Sequence, residues 1–434
     1  MSKFFLFTFG CRCNQADSSV IRGELCRRFG TETATHLDAD LVVVNSCTVT
    51  HRTDQQVRQM IRRVHRENPA ARLVVTGCFA ERDPESLASL PGVSLVVGNA
   101  ERDRLADLLD QDARDQGPRI IRSPFAPASD FRLAPGAATG GKTRPFVKLQ
   151  DGCDARCSYC IVPFVRGPGR SAHPDHVVEE VKRLVGAGYR EVVLTGVNLG
   201  TYGHKLSGTP TLVDLIQRIL AVPGLGRLRL SSIEPMRFPR RIVRLAAENP
   251  VFAPHFHIPL QSGSDRILRR MRRPYRAAHF LDLLSFIRET LPDSGIGTDV
   301  LVGFPGETNE DFDRTCDLVS RSPLTYLHVF PFSRRVGTDA DGMAPHVPRD
   351  VVRERVGIMR EMSQTRNFMF RQRFVGRDVP GITLAGEEGA GEAVVLTENY
   401  IHARVDAPTE PNRLVRIRIK EARPCSTRAE IQSG

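Results

Sequence analysis

Four short apolar runs, Phe4 to Phe9, Leu41 to Asn45, Leu73 to Thr76 and Ser94 to Val97, are separated by stretches of helical spacing such as Asp54 to Glu67. Runs this short, rich in Val, Leu and Phe, fit strands buried on both faces of a parallel sheet. The alternation predicts a small parallel α/β domain over residues 1–120. Three of the runs lead into a cysteine, at Gly10-Cys11, Asn45-Ser46-Cys47 and Gly77-Cys78. The C-terminal ends of parallel strands lie along one edge, so these thiols are expected to converge although far apart in sequence. They could hold an iron–sulfur cluster with one iron free; ordinary buried cysteines are the alternative.

Pro118 to Thr143 breaks the alternation with Ser-Pro-Phe-Ala-Pro-Ala, Leu-Ala-Pro-Gly and Gly140-Gly141, and reads as an inter-domain linker over 121–143. The βα pattern then resumes on a larger scale. Candidate strands are Phe146 to Leu149, Glu191 to Thr195, Arg227 to Ser231, Phe256 to Pro259, Gly297 to Val302 and Tyr326 to Phe330. They predict a partial, open TIM-like (βα)6 barrel over 144–370, with function at the strand C-termini. Val351 to Arg373 reads as a long basic helix. Residues 371–434 break into short β-like pieces separated by Gly, Pro and Asn, which predicts a small β-barrel. The fold class is therefore α/β with a β appendage, and 434 residues suffice for several cores.

The sharpest local signal follows the first barrel strand. Cys153-x3-Cys157-x2-Cys160 places three thiols in one loop. Three thiolates can bind three irons of a cubane and leave the fourth open to a small molecule. A zinc knuckle or three unrelated cysteines are the alternatives, but zinc prefers four ligands and none is nearby. At these residues the chain resembles the radical S-adenosylmethionine (SAM) superfamily. The resemblance implies that the open iron chelates SAM and that one electron then yields a 5′-deoxyadenosyl radical. Ser231, Ser232, Glu234, Gln261 and Gly303, all at or just after candidate strands, are expected in a SAM or substrate pocket; hydrogen-bonded core groups are the other reading.

With Gly10-Cys11-x2-Asn14-x2-Asp17, Asn45-x-Cys47, Gly77-Cys78 and Asp151-Gly-Cys153 through Arg166-Gly167, the chain resembles the methylthiotransferase family along nearly its whole length. That likeness implies an auxiliary 4Fe-4S cluster on Cys11, Cys47 and Cys78, whose open iron carries a sulfide or methylsulfide. It also implies a C-terminal TRAM domain, matched weakly at Thr397 to Tyr400. One SAM would methylate the cluster sulfur and a second would supply the radical. Cys13, two residues from Cys11, could compete as a ligand or be incidental. Cys26, Cys316 and Cys425 are expected to be ordinary packing or surface residues.

Family members differ in substrate: N6-threonylcarbamoyladenosine beside the tRNA anticodon, isopentenyladenosine, or an aspartate of a ribosomal protein. His328-Val-Phe-Pro-Phe-Ser-Arg334-Arg335 and Ser231-Ser-Ile-Glu234 look most similar to the threonylcarbamoyladenosine branch. A formal charge of +11 and a pI near 9.4 suit a polyanionic partner such as the tRNA anticodon stem-loop. Arg269, Arg270, Arg272, Arg273, Arg334 and Arg335 are expected to contact it, with a solvated helix face as the alternative. Tyr400 could stack on a base or sit in the barrel core. A different class of protein, an iron–sulfur RNA-binding protein without turnover, leaves the Cys153 loop unexplained. The cluster would need a reducing partner such as flavodoxin or ferredoxin. No apolar run approaches a membrane span and no signal peptide is evident, so a cytoplasmic protein is expected.

Overall fold

The computed structural model describes residues 3–110, 117–125, 131, 133, 143–386 and 392–432. Most of the expected linker, 126–130, 132 and 134–142, lies outside the described residues.

Strands β1 (Phe4–Thr8), β2 (Leu41–Ser46), β3 (Arg72–Gly77), β4 (Val93–Val97) and β5 (Arg119–Ile121) form one parallel sheet in sequential order. Every residue of β2 is buried, as a central strand covered on both faces requires. The helix His51–Glu67 presents Val57, Ile61 and Val64 to one face and is capped by Thr50, whose hydroxyl accepts from the Thr53 N–H. The helix Arg12–Arg28 departs from this pattern, because it buries Asn14, Asp17 and Ser18 beside Ile21 and Leu25. Strand β5 falls within the segment read as linker from Pro118; it is only partly buried and lacks the apolar run of the other strands.

All six expected central strands form: β6 (Phe146–Asp151), β8 (Glu191–Gly196), β9 (Arg227–Leu230), β10 (His255–His257), β11 (Gly295–Val302) and β12 (Tyr326–Pro331). A two-residue strand β7 (Arg170–Ser171) adds antiparallel to β6. Hydrogen bonding runs β7-β6-β8-β9 and β10-β11-β12, with the isolated bridges Leu228 to Phe252 and Ser232 to His257 joining the two sheets. The result is an open barrel around a single large apolar cluster.

The helix Arg349–Gln372 runs from this barrel into the next unit, so the boundary expected at 370 falls within its last turn. Its Phe370, with Phe374 just beyond, belongs to the core of a closed barrel of β13 (Asp378–Leu384), β14 (Ala393–Thr397), β15 (His402–Val405), β16 (Leu414–Arg423) and β17 (Ser426–Ile431). No helix among the described residues is long and apolar enough to cross a membrane.

Candidate functional site

The three strand-end cysteines of the first sheet converge. Cys11, Cys47 and Cys78 line one cavity of about 340 Å³, and the central barrel adds Thr195 and Gly196 at the end of β8, Ser231 and Ser232 after β9, and His257, Asp299 and His328. Gly10 lets the chain bring two of the thiols together. Its φ is +93°, and a Cβ there would lie 2.5 Å from both Cβ and Sγ of Cys47.

Burial pushes the Cys47 thiol up to about 12, and the neighbouring Cys78 and Cys11 add to the shift. Burial also raises Cys78, against the pull of the Arg166 guanidinium. Cys11 is lowered by a hydrogen bond from the Cys13 thiol, which is itself raised. Cys47 and Cys78 are buried and Cys11 is exposed at the cavity edge; the buried thiols resist ionisation, and a bound cation reverses that. The donor set therefore fits iron. Cys13 is buried on the same cavity wall, within hydrogen-bond reach of Cys11.

The Cys153 loop sits at the end of β6. Gly152 has φ +69°, and a Cβ would meet the Pro168 carbonyl oxygen at 2.0 Å. The Cys153 N–H donates to the Gly167 carbonyl at 3.0 Å, and the Cys160 N–H to that of Cys157 at 3.0 Å, which folds the loop on itself. Burial pushes Cys160 up to about 12 and also raises Cys153. Around them, Arg273 donates to Cys157 Sγ at 3.4 Å, and Asn198 Nδ2 stands 3.9 Å from Cys153 Sγ. These half-exposed thiols with nearby N–H donors also fit a cluster.

A buried ionic group ties the two cysteine sets together. Arg166, which follows the Cys153 loop, donates to Asp17 at 2.9 Å and Asp151 at 2.8 Å. Lys148 reaches the same two carboxylates, and Arg102 lies 3.0 Å from Asp17 and 3.8 Å from Asp151. All five side chains are buried. Three cations meet the two buried carboxylates here, and Arg102 also pairs with the exposed Asp103 at 3.4 Å. Asp17 and Asp151 are held below the usual carboxylate range because these cations outweigh the cost of burial. The Asn14, Asp17, Asp151 and Arg166 of the sequence motifs are thus partners in space.

The expected pocket residues divide. Ser231 and Ser232 face the cavity of Cys11, Cys47 and Cys78. Glu234 pairs with Arg273 beside Cys157. Gln261, at φ +67°, donates its N–H to the Asp299 carbonyl at 2.8 Å and accepts from the Leu301 N–H at 2.9 Å, so its backbone extends β10 along β11. At Gly303 a Cβ would meet Val352 of the long helix at 2.5 Å, so close packing accounts for this glycine.

Two of the expected RNA contacts are corrected. Arg273 is buried against Glu234 and Cys157, and Arg335 is buried against Asp54 at 2.6 Å, tying the barrel to the first domain. Neither offers its guanidinium to a phosphate, because each already neutralises a buried carboxylate. Arg269, Arg272 and Arg334 are exposed, with Arg272 and Arg334 paired to Asp339 and Asp341. Arg270 is half-buried and bonds the carbonyls of Pro305 and Ala344. Tyr400 is neither a free stacking platform nor barrel core. It stacks on His255 with ring centroids 4.0 Å apart and accepts from Arg12, the neighbour of Cys11, at 3.2 Å.

Sequence reasoning gave no site role to Lys148, Arg102, Asp299 or His328. The signal was there for two of them, since Lys148 and Asp299 are charges inside otherwise buried strands.

Comparison with known proteins agrees with this geometry. Residues 147–319 match the model of the radical SAM superfamily, and residues 3–98 that of the uncharacterized protein family UPF0004. Threonylcarbamoyladenosine tRNA methylthiotransferase MtaB of Aquifex aeolicus is 36% identical over 95% of this chain and 98% of its own length. The protein of that name from Rickettsia prowazekii is 36% identical over 92% of this chain and 91% of its own. A tRNA-2-methylthio-N(6)-dimethylallyladenosine synthase of Bifidobacterium longum subsp. infantis is 34% identical over 97% and 86%. Among solved structures, the radical SAM methyltransferase TsrM of Kitasatospora setae aligns with a TM-score of 0.57 at 17% identity, over 79% of this chain and 77% of that one, a likeness of fold. The chain belongs to the radical SAM tRNA methylthiotransferase family, enzymes that use SAM and 4Fe-4S clusters.

Proposed function

We propose that this protein converts N6-threonylcarbamoyladenosine beside the anticodon of tRNA to its 2-methylthio derivative, using two molecules of SAM. Cys153, Cys157 and Cys160 hold the SAM-binding 4Fe-4S cluster, and Cys11, Cys47 and Cys78 hold the auxiliary one. The observation that carries this reading is that the strand-end thiols of the first domain share one cavity with the strand ends of the SAM barrel.

When bound, the first cluster with SAM supplies a 5′-deoxyadenosyl radical and the second supplies the sulfur, chemistry that opens a C–H bond with no leaving group. The chain's own residues position the parts. Arg166, Lys148 and Arg102 lock the two domains through Asp17 and Asp151, which fixes the separation of the cysteine sets. Arg273 donates to the Cys157 sulfur, and Ile161, Val162 and Val165 form an apolar wall that limits water in the cavity. Exposed Arg269, Arg272 and Arg334, with half-buried Arg270, supply positive charge for the RNA backbone.

The names of the Aquifex and Rickettsia relatives support the threonylcarbamoyl substrate; that of the Bifidobacterium relative supports isopentenyladenosine as a second reading. Mass spectrometry of tRNA nucleosides with and without the gene separates them. Loss of the 2-methylthio form of threonylcarbamoyladenosine is expected, and an unchanged tRNA profile would overturn the proposal in favour of a protein substrate. A flavodoxin or ferredoxin as reductant, and action in the cytoplasm on the anticodon stem-loop, complete the reading.

A further inference from the structure

The cavity carries a polar layer that neither cysteine set uses. Asp299 Oδ1 lies 2.9 Å from His257 Nε2 and 3.3 Å from His328 Nδ1, so one carboxylate oxygen takes both imidazoles. The two rings stack with centroids 5.0 Å apart, and Tyr326 Oη holds His257 Nδ1 from behind at 3.2 Å. Burial opposes ionisation of Asp299, yet the two histidines outweigh it and hold the carboxyl well below its usual range. No side-chain donor among the described residues reaches its second oxygen, and Asp299 faces the cavity.

Ser231 lines the same cavity. It is 4% exposed, and its hydroxyl has no hydrogen-bond partner among the described residues. Buried hydroxyls are costly to leave unmet, so this one is matched to something that enters the cavity. The layer lies within the barrel, on the same cavity as Cys11, Cys47 and Cys78, whereas Glu234 and Arg273 stand beside the Cys153 loop. An ionised acceptor and a free hydroxyl lining a cavity of about 340 Å³ suit a neutral ring with N–H or hydroxyl donors.

We infer that Asp299 and Ser231 form the subsite that holds the target nucleoside, with Asp299 accepting from an N–H or ribose hydroxyl and Ser231 meeting a ring nitrogen or carbonyl. His257 and His328 are positioning residues that fix the Asp299 carboxylate. The inference rests on the RNA reading above, and it assigns the nucleoside to the cavity that Cys11, Cys47 and Cys78 also line.

The test uses the reconstituted full chain under dithionite, with an anticodon stem-loop RNA carrying threonylcarbamoyladenosine. It counts methylthiolated product per 5′-deoxyadenosine formed, together with iron and zinc content. Asp299→Asn is expected to lower that ratio roughly tenfold, and Ser231→Ala about threefold, at wild-type iron content. His257→Gln is expected to raise the KM for RNA more than it lowers kcat. An unchanged ratio in both the Asp299 and Ser231 variants overturns the inference. So does parallel loss of 5′-deoxyadenosine and product, which would place SAM on this layer. Zinc or extra iron present in the wild type and lost in Asp299→Asn would make the group a metal site instead. Wild-type protein that cleaves SAM but leaves this RNA unmodified overturns the RNA reading, and that arm needs no variant.

Discussion

The two cysteine triplets are built in opposite ways. Cys153, Cys157 and Cys160 lie on one loop that closes through its own backbone hydrogen bonds. Cys11, Cys47 and Cys78 come from three strand ends and meet only when β1, β2 and β3 pair in register. A local loop tolerates shifts in the surrounding fold, whereas a site assembled from a sheet edge inherits every error in that sheet. The ionic group between the domains touches both: Asp17 lies on the helix that follows Cys11, and Asp151 and Arg166 flank the Cys153 loop.

The largest expected effect separates the two sets. Alanine at Cys11, Cys47 and Cys78 together abolishes methylthiolation but leaves about four of about eight irons, with SAM cleavage intact. Alanine at Cys153, Cys157 and Cys160 abolishes SAM cleavage. Iron analysis and 5′-deoxyadenosine assays check both, and a fully loaded first variant would reject the ligand set.

Next in size is Arg166→Met, which leaves Asp17 and Asp151 short of a partner in the interior. A stability loss of about 3–5 kcal/mol is expected from denaturant unfolding, and a cost under ~1 kcal/mol would show that Lys148 and Arg102 suffice. The same group sets a pH dependence. Both carboxyls lie below their ordinary 3.8 in the folded protein, so the stability they confer is complete above that value. It fades as pH falls below it. Cluster-free protein should keep its domain interface, followed by limited proteolysis, throughout pH 7 to about 4; loosening near pH 6 would assign the interface to other groups.

A smaller effect sharpens the contrast between the sites. Gly10→Ala places a methyl against Cys47 at a φ that costs about 1–3 kcal/mol, and should deplete auxiliary iron alone. Gly152→Ala should deplete only the SAM cluster. Loss of both clusters from either variant, read by iron content and SAM cleavage, would mean that the sites fold as one unit. The smallest is Tyr400→Phe, which removes the hydrogen bond from Arg12 and should cost about 1 kcal/mol in thermal unfolding.

Regular elements were legible where an apolar, buried run marked them: β2, β3 and all six central parallel strands follow the expected runs within a few residues. Strand β5 was not, because Arg119–Ile121 follows Pro118 and is only partly buried, so it lacks the apolar run that marks the others. The arginine run from Arg266 to Arg276 misled for another reason, since charge density says nothing about which guanidinium turns inward. Arg273 met Glu234 and the Cys157 sulfur, while Arg272, one residue earlier, stayed exposed. Arg335 likewise turned to Asp54, a residue 281 positions away in the chain.

By itself, the sequence determined the strand and helix order, the spacing of the Cys153 loop and the strand-end placement of the other thiols. These follow from side-chain periodicity and from neighbours within a few residues. Only the tertiary structure decided that Asn14, Asp17, Asp151 and Arg166 are one buried contact, that Tyr400 lies between domains, and that Ser231 and Asp299 face the auxiliary thiols. Those relations join residues from different domains, and burial with its demand for charge and hydrogen-bond partners is what selects them.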